Sequence, residues 1–263
     1  MHLRGALLAA AWAWIGALPA WAMSPAPGAE TLFTQLEHAD AAVVARLARI
    51  EPDGLVLAVD SVIRGNAPGS LRVPVETGSP FELLDPSRRY IVLLQRDRAG
   101  DYRLPLGGLS VLSVPQGELS EAIAAAESYV QAGDRTEERR AALLRAAGSR
   151  SEYVQRSAVV GLTLLGMMDR AVVGQLVSQL DAGRLTEPEA CRMVIRSVAV
   201  VEAVEHGPFL ERRIRDRRER PTLRESALFA LFVMDPSSAR RVAASLGPAS
   251  TPSLEALRRS LGM

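Results

Sequence analysis

AVVARLARIEPDGLVLAVDSVIRG, residues 42–65, reads as strand, turn, strand. Two runs rich in Val, Leu, Ile and Ala flank Glu51-Pro52-Asp53-Gly54, where Pro presets φ and Gly is free to take a positive φ, so the chain can reverse there. In the first run Val43, Ala45 and Leu47 share one face, and Val44, Ala48 and Ile50 share the other with Arg46. In the second, Leu55, Leu57, Val59 and Ile63 oppose a face made by Val56, Ala58, Asp60, Val62 and Arg64. Neither strand has a cleanly polar side, which suits a closed or strongly curled sheet.

Working outward, TLFTQLEHA (31–39) sets Leu32, Phe33 and Leu36 at helical spacing, so a short helix leads into the first strand. Further strands are expected at 71–76, 89–95, 102–104 and 109–114, separated by turn signals at 66–69, 78–80, 85–87 and 98–101. Short strands at this spacing predict a small antiparallel barrel or sandwich. Asp60, Arg64, Asp85, Arg88, Arg89 and Tyr90 are the polar or aromatic residues around it. Asp60 and Arg64 read as a solvated strand face and Asp85-Pro86 as turn chemistry; Tyr90 reads as a packed ring with a wetted hydroxyl.

The order ADAAVVARL, VIRG, LRVPVE, RRYIVLLQRD and YRLPLGGLSVLSV, over residues 39–115, resembles small exported bacterial domains related to the netrin and tissue-metalloprotease-inhibitor type of OB-like barrel. The resemblance implies a barrel. It does not extend to the disulfides and N-terminal Cys on which inhibitors of that type rely, because Cys191 is the one cysteine of the 263 residues. A solitary Cys forms no internal bridge and is read here as a buried small apolar residue.

At the N-terminus, Met1-His2-Leu3-Arg4 precedes an apolar run over 6–18, then Pro19 and Ala20-Trp21-Ala22. That is the layout of a secretory signal peptide cleaved after Ala22, with 23–30 as a flexible leader. Its removal takes away one Arg and no acid, so the net charge falls from +1 to 0. A neutral chain names no polyanionic partner, and export argues against intracellular nucleic acid as a target. All basic residues are Arg, from which no function follows.

From Leu119 onward Ala, Leu, Glu and Arg recur at i, i+3, i+4 spacing. Helices are expected at 119–132, 136–147, 152–167, 170–181, 188–203, 208–218, 221–234, 237–246 and 251–261, with Pro188, Pro208, Pro221, Pro236 and Pro252 at or near first turns. EYVQRSAVVGLTLLG (152–166) aligns without gaps on PTLRESALFALFVMD (221–235), 69 residues later, and the helix beginning at Pro188 falls about midway. Small residues at Ala158, Gly161, Ala227 and Ala230 admit a close neighbour. An apolar residue, a polar or basic one, then Ser-Ala and a Leu make the segment 143–246 resemble HEAT-like repeats, apart from Arg196 in the middle unit. That resemblance implies a binding scaffold.

The most charged run is ERRIRDRRER, 211–220. Arg212, Arg213, Arg217 and Arg218 are the candidate binding residues, forming a basic ridge for an acidic partner, an anionic lipid surface or a polyanion. Against this, Glu211/Arg215, Arg212/Asp216, Arg215/Glu219 and Asp216/Arg220 are i, i+4 pairs, so the run also reads as a self-compensated solvated helix. Catalytic signatures are missing: no HExxH, CxxC, phosphate-binding Gly loop or G-x-S-x-G occurs, and after the leader the histidines are His38 and His206, which read as cap or surface groups. No catalytic residue, metal or cofactor is therefore expected.

The sequence thus predicts a two-domain α+β protein: signal peptide 1–22, leader 23–30, OB-like antiparallel barrel 31–117 and HEAT-like α-solenoid 118–263. The expected function is a non-enzymatic interaction or scaffold protein of the bacterial cell envelope, periplasmic or secreted, whose partner is another envelope protein. A barrel enclosing a small apolar ligand is the alternative, and a hydrolase built on two facing carboxylates is the third reading.

Overall fold

The computed structural model describes residues 31–75, 84–246, 254–256 and 259; the expected signal peptide, the turn at 78–80 and most of the helix at 251–261 lie outside them. Helix α1 (Leu32–His38) leads into β1 (Ala41–Glu51) and β2 (Gly54–Arg64), followed by β3 (Ser70–Pro74), β4 (Arg89–Arg96), β5 (Tyr102–Arg103), a 3-10 turn (Gly107–Ser110) and β6 (Val111–Leu112). The sheet is antiparallel in the order β3-β2-β1-β4-β5, and β6 also pairs with β4. β3 and β5, at the two ends of this order, come side by side, leaving a nearly closed, barrel-like sheet. Tyr102 ties the seam: its hydroxyl donates to the Asn66 carbonyl and accepts from Arg96 at 2.9 Å. The expected strand at 109–114 is shortened because the 3-10 turn takes its first two residues.

Alternation decides the interior. Ala41, Val43, Ala45 and Leu47 meet Leu55, Leu57, Leu71, Val73, Tyr90, Val92, Leu94 and Val111 in one buried cluster. The other face of β1 is buried at Ala42 and Val44 and exposed from Arg46 to Ile50 apart from Leu47, whose side chain turns inward. Helices explain the split, since α1 packs on β4 and α2 (Leu119–Gln131) on β2. The lack of a polar face thus has two causes, a closed interior and a helical cover. Register shifts in the β1–β2 ladder leave Asp60, Ile63 and Ala48 without opposite residues, the sign of bulges that sharpen local twist.

Gly54 is needed for a reason other than positive φ. The turn closes on Pro52 and Asp53, and a Cβ at Gly54 would lie 2.7 Å from the Val73 carbonyl oxygen of β3. Gly65 does take a positive φ, +72°, and a Cβ there would stand 2.4 Å from the Asp40 carbonyl oxygen. The VIRG segment therefore ends β2 where two backbones touch.

After α2 come α3 (Thr136–Ala147) and α4 (Glu152–Leu164), then α5 (Arg170–Asp181), α6 (Pro188–Val200), a 3-10 turn (Val204–His206), α7 (Gly207–Arg215), α8 (Pro221–Met234) and α9 (Pro236–Ser245). Pro opens α6, α8 and α9 and is the second residue of α7, where the missing N–H has no intrahelical partner to lose. The chain divides into two compact units, one running to Met167 and the other from Met168, so α2, α3 and α4 belong with the sheet and the unit boundary lies fifty residues beyond the change from strands to helices at 117/118. In the first unit α3 packs on α4, and Gly161 of α4 sits where a Cβ would be 3.3 Å from Phe33 of α1 and 3.4 Å from Leu143 of α3. In the second, α8 is the hub, packed against α6, α7 and α9. Among the described residues no helix is long and apolar enough to cross a membrane.

Candidate interaction surface

The basic run does not lie on one helix. α7 ends at Arg215, three residues earlier than expected, so Arg217 and Arg218 sit in the exposed turn that follows. Of the four i, i+4 pairs, Glu211–Arg215 forms, at 3.0 Å. Arg212 instead reaches Asp181 at 2.9 Å, the last residue of α5. Arg213 donates to the Leu180 carbonyl at 2.8 Å, pairs with Glu219 and lies over the Phe209 ring at 5.3 Å. Two of the candidate residues thus complete the C-terminal end of α5, where cations and N–H donors meet unsatisfied carbonyls. Arg217 and Arg218 have no side-chain partner among the described residues; the Arg218 backbone N–H donates to Asp216 Oδ1 at 2.8 Å.

Other charged groups are likewise absorbed by structure. Asp60 accepts from Arg46 at 2.9 Å, and Arg64 donates to the Leu36 carbonyl, so these are not simply a solvated face. Asp85 holds Ser87 in its turn: the Ser87 hydroxyl, at 2.6 Å, and then the Ser87 N–H, at 2.9 Å, donate to Oδ1 and keep its carboxyl below the ordinary range. The Tyr90 hydroxyl is not wetted: it accepts from the Asp85 N–H at 2.8 Å and donates to the Asp85 carbonyl at 3.2 Å. Arg88 pairs with Asp85 at 3.5 Å, and the Arg89 carbonyl accepts from Gln116.

Acid pairs are present but occupied. Glu118 and Glu121, at the start of α2, take the hydrogens of the α3–α4 turn. Glu118 accepts from Ser151 Oγ at 2.5 Å and the Tyr153 N–H at 3.0 Å; Glu121 accepts from Ser149 Oγ and the Arg150 and Ser151 N–H groups. The Ser149 hydroxyl is the main reason the Glu121 carboxyl is held below its ordinary value. Glu51 and Asp53 at the hairpin tip both hold Arg72 of β3, at 3.1 and 2.7 Å. Glu37 receives Tyr129 and Arg139, and burial together with that carboxylate pushes the Tyr129 hydroxyl well above its ordinary value. Cys191 is buried, and desolvation, aided by the Glu187 carboxylate, pushes its thiol up to about 12. His38 ends α1 and His206 precedes α7. Among the described residues no three His, Cys, Asp or Glu side chains gather as a metal site.

A repeated frame emerges when α4, α6 and α8 are aligned on their N-caps, Ser151, Glu187 and Arg220. Four residues on, each helix buries a polar side chain that hydrogen-bonds a carbonyl behind it: Gln155 to Ser149 at 2.6 Å, Cys191 to Leu185 at 3.5 Å, Arg224 to Ile214 at 3.0 Å. The next turns bury Ala158, Val194 and Ala227, then Leu162, Val198 and Leu231. Thirteen residues after the caps the pattern reverses, and Leu164, Val200 and Val233 are 47%, 59% and 37% exposed. The first two helices, expected to run to 167 and 203, end at Leu164 and Val200.

At Leu164 and Val200 the helix ends in a left-handed stop. After α4, Gly166 adopts φ +67°, the Met167 N–H donates to the Leu162 carbonyl and the Gly166 N–H to that of Thr163. After α6 the same pair of bonds runs from Ala203 to Val198 and from Glu202 to Ala199, with Glu202 at φ +52°, the one non-Gly positive φ among the described residues. Just beyond it stands Val204, 63% exposed. Val204 lines an open cleft of about 410 Å³ with Gly207, Pro208, Leu231, Met234 and the polar Glu211, Asp235 and Ser238. A second cleft, about 350 Å³ between α2 and α3, is lined by Arg135, Glu138, Arg145, Ser128 and Gln131.

The chain matches no protein-family model, no curated protein and no solved structure.

Proposed function

We propose that this chain is an exported, non-enzymatic interaction protein of the cell envelope, an OB-like barrel joined to a HEAT-like helical array, and that it works by presenting apolar helix ends to another protein. The observation that carries the reading is the recurrence of a solvent-facing aliphatic residue at one frame position of three equivalent helices, Leu164, Val200 and Val233. Scattered apolar residues on a surface need no account, but repetition in frame with a buried pattern does. The caps at Ser151, Glu187 and Arg220 are spaced as helical-hairpin repeats are, which supports the HEAT-like reading. The side chains that fill the barrel favour an interaction role over a barrel-bound apolar ligand. Occupied acid pairs likewise lend no support to a carboxylate hydrolase.

The test is photo-crosslinking in intact cells with benzoylphenylalanine placed singly at Leu164, Val200, Val233 and, as a control, Ala99 in the exposed turn before β5. Discrete protein adducts at the three helix positions and none at Ala99 are expected. Equal background at all four would refute the interaction reading. Recovery of the chain from the envelope fraction with Met23 at its N-terminus tests export.

A further inference from the structure

We infer that the connector between α7 and α8 holds a phosphate monoester, gripped by the guanidinium of Arg224 with Arg217, Arg218 and Arg220 around it. The inference does not depend on the interaction reading. It starts from a surplus charge. In α4 and α6 the fourth residue after the cap reaches back to a carbonyl with a neutral group, Gln155 or Cys191. α8 makes the same single bond with Arg224, 6% exposed, whose Nε donates to the Ile214 carbonyl at 3.0 Å. Among the described residues the two terminal nitrogens of Arg224 have no acceptor and no carboxylate pairs with it. Neither nitrogen is a buried orphan, so the free end of the guanidinium opens to solvent. A nearly buried cation without a counter-charge is costly, and an oxyanion at its open end relieves that cost.

The surroundings supply what such an anion needs. Helical side chains lean toward the N-terminus, and the bond to Ile214 shows that Arg224 runs back from the first turn of α8 across the connector 216–220. That first turn has Arg220 as a cap without a side-chain hydrogen bond and Pro221 without an N–H, and the Thr222 N–H has no acceptor among the described residues. The positive end of the helix dipole is thus unmet there. Arg217, Arg218 and Arg220 are exposed in the connector, none with a side-chain partner among the described residues. The acids beside them are already matched: Glu219 holds Arg213 and the Arg220 N–H, Glu211 holds Arg215, and Asp181 holds Arg212. Asp216, the remaining acid of the connector, accepts from the Arg218 N–H at 2.8 Å. Four guanidiniums against that one carboxylate favour a dianion with several oxygens over a carboxylate monoanion.

Phosphorus NMR of inorganic phosphate and of glycerol 3-phosphate, titrated with the full mature chain, tests this. Saturable one-to-one binding is expected, weakened about tenfold or more by Arg224→Gln and by the exposed pair Arg217→Gln/Arg218→Gln. Arg98→Gln, at an exposed arginine of the turn before β5, should leave it unmoved. The exposed pair keeps the test decisive if Arg224→Gln disturbs the fold, which circular dichroism reports. Sedimentation with phosphatidylcholine vesicles containing phosphatidic acid separates the sources of the phosphate. Capture that free phosphate reverses and the exposed pair abolishes places it on a lipid headgroup; binding in solution without capture places it on a soluble monoester, and either result upholds the site. No saturable binding of phosphate, equal affinity for acetate or for a glutamate-rich peptide, or indifference to the exposed pair would overturn the inference.

Discussion

Glu202→Gly should make the protein more stable, although it removes a charged surface side chain and introduces the most flexible residue. Glu202 holds φ +52° at the end of α6, and a left-handed conformation costs an L-residue about 1–2 kcal/mol that Gly does not bear. A negative charge just past the C-terminal end of α6 also opposes the helix dipole, adding about 0.3 kcal/mol. Against this, Gly raises the entropy of the unfolded chain by about 0.4–1 kcal/mol. The balance is a gain of about 0.3–1.9 kcal/mol, and with a urea m-value of about 2 kcal/mol/M the midpoint rises by about 0.2–1 M. The assay is urea unfolding at 25 °C followed by far-UV circular dichroism, with Glu202→Gln to isolate the charge. The equivalent residue after α4 supplies the mirror experiment: Gly166 has φ +67° and open space where a Cβ would go, so Gly166→Ala tests conformation without collision and should lower stability by about 0.5–1 kcal/mol. A midpoint lowered or unmoved by Glu202→Gly would refute the reasoning, most plainly if Gly166→Ala were also silent.

The candidate arginines should separate by role. Arg213→Ala loses the Leu180 carbonyl, Glu219 and the Phe209 ring, with side chains 20% and 10% exposed across the ion pair, and should cost about 2 kcal/mol; Arg218→Ala should stay within about 0.5 kcal/mol, both read by urea titration. Asp235→Ala removes the cap of α9 and should cost about 1 kcal/mol. Because hydrogen bonds from Ser237 and Ser238 depress the folded-state pKa of Asp235, its contribution is complete above the unfolded value, about 3.9, and is lost as pH falls toward the folded one. The stability difference between wild type and Asp235→Asn should therefore shrink below about pH 4 and be flat above it. Cys191, its thiol raised to about 12 and its Sγ donating to Leu185, should resist Ellman's reagent at pH 8 until urea opens the helical unit; labelling within seconds of mixing would contradict the burial.

Much of the fold was legible because the signals were local. The hairpin at 42–65 is β1 and β2, and helix starts marked by Pro188, Pro221 and Pro236 fall within one residue of the expected ones. Periodicity placed Ala158, Gly161, Ala227 and Ala230 in the packed layer, where they are. Helix ends were harder. Gly166 announces a left-handed stop, but Glu202 carries no such sign, and an apolar run such as VAVVEAV continues a helical stripe on paper while the backbone turns it into solvent. Nor does an i, i+4 rule foresee that Arg212 and Arg213 are taken by the end of another helix. Gly54 was recognised as a turn residue, but the contact that demands it comes from β3, nineteen residues away and invisible to local reasoning.

The buried polar residue four places into α4, α6 and α8 differs in reach because the stretch of chain behind each helix differs. Cys191 touches a carbonyl six residues back, Gln155 does the same from a longer side chain, and Arg224 spans ten residues, across the turn that carries Arg217 and Arg218. Each helix is keyed to its own connector. Exchanging one for another, or excising a cassette between caps, would strand a buried donor even where every apolar position still matched. The three segments share a pattern yet are not interchangeable parts, so their order along the chain is fixed by hydrogen bonding as well as by packing.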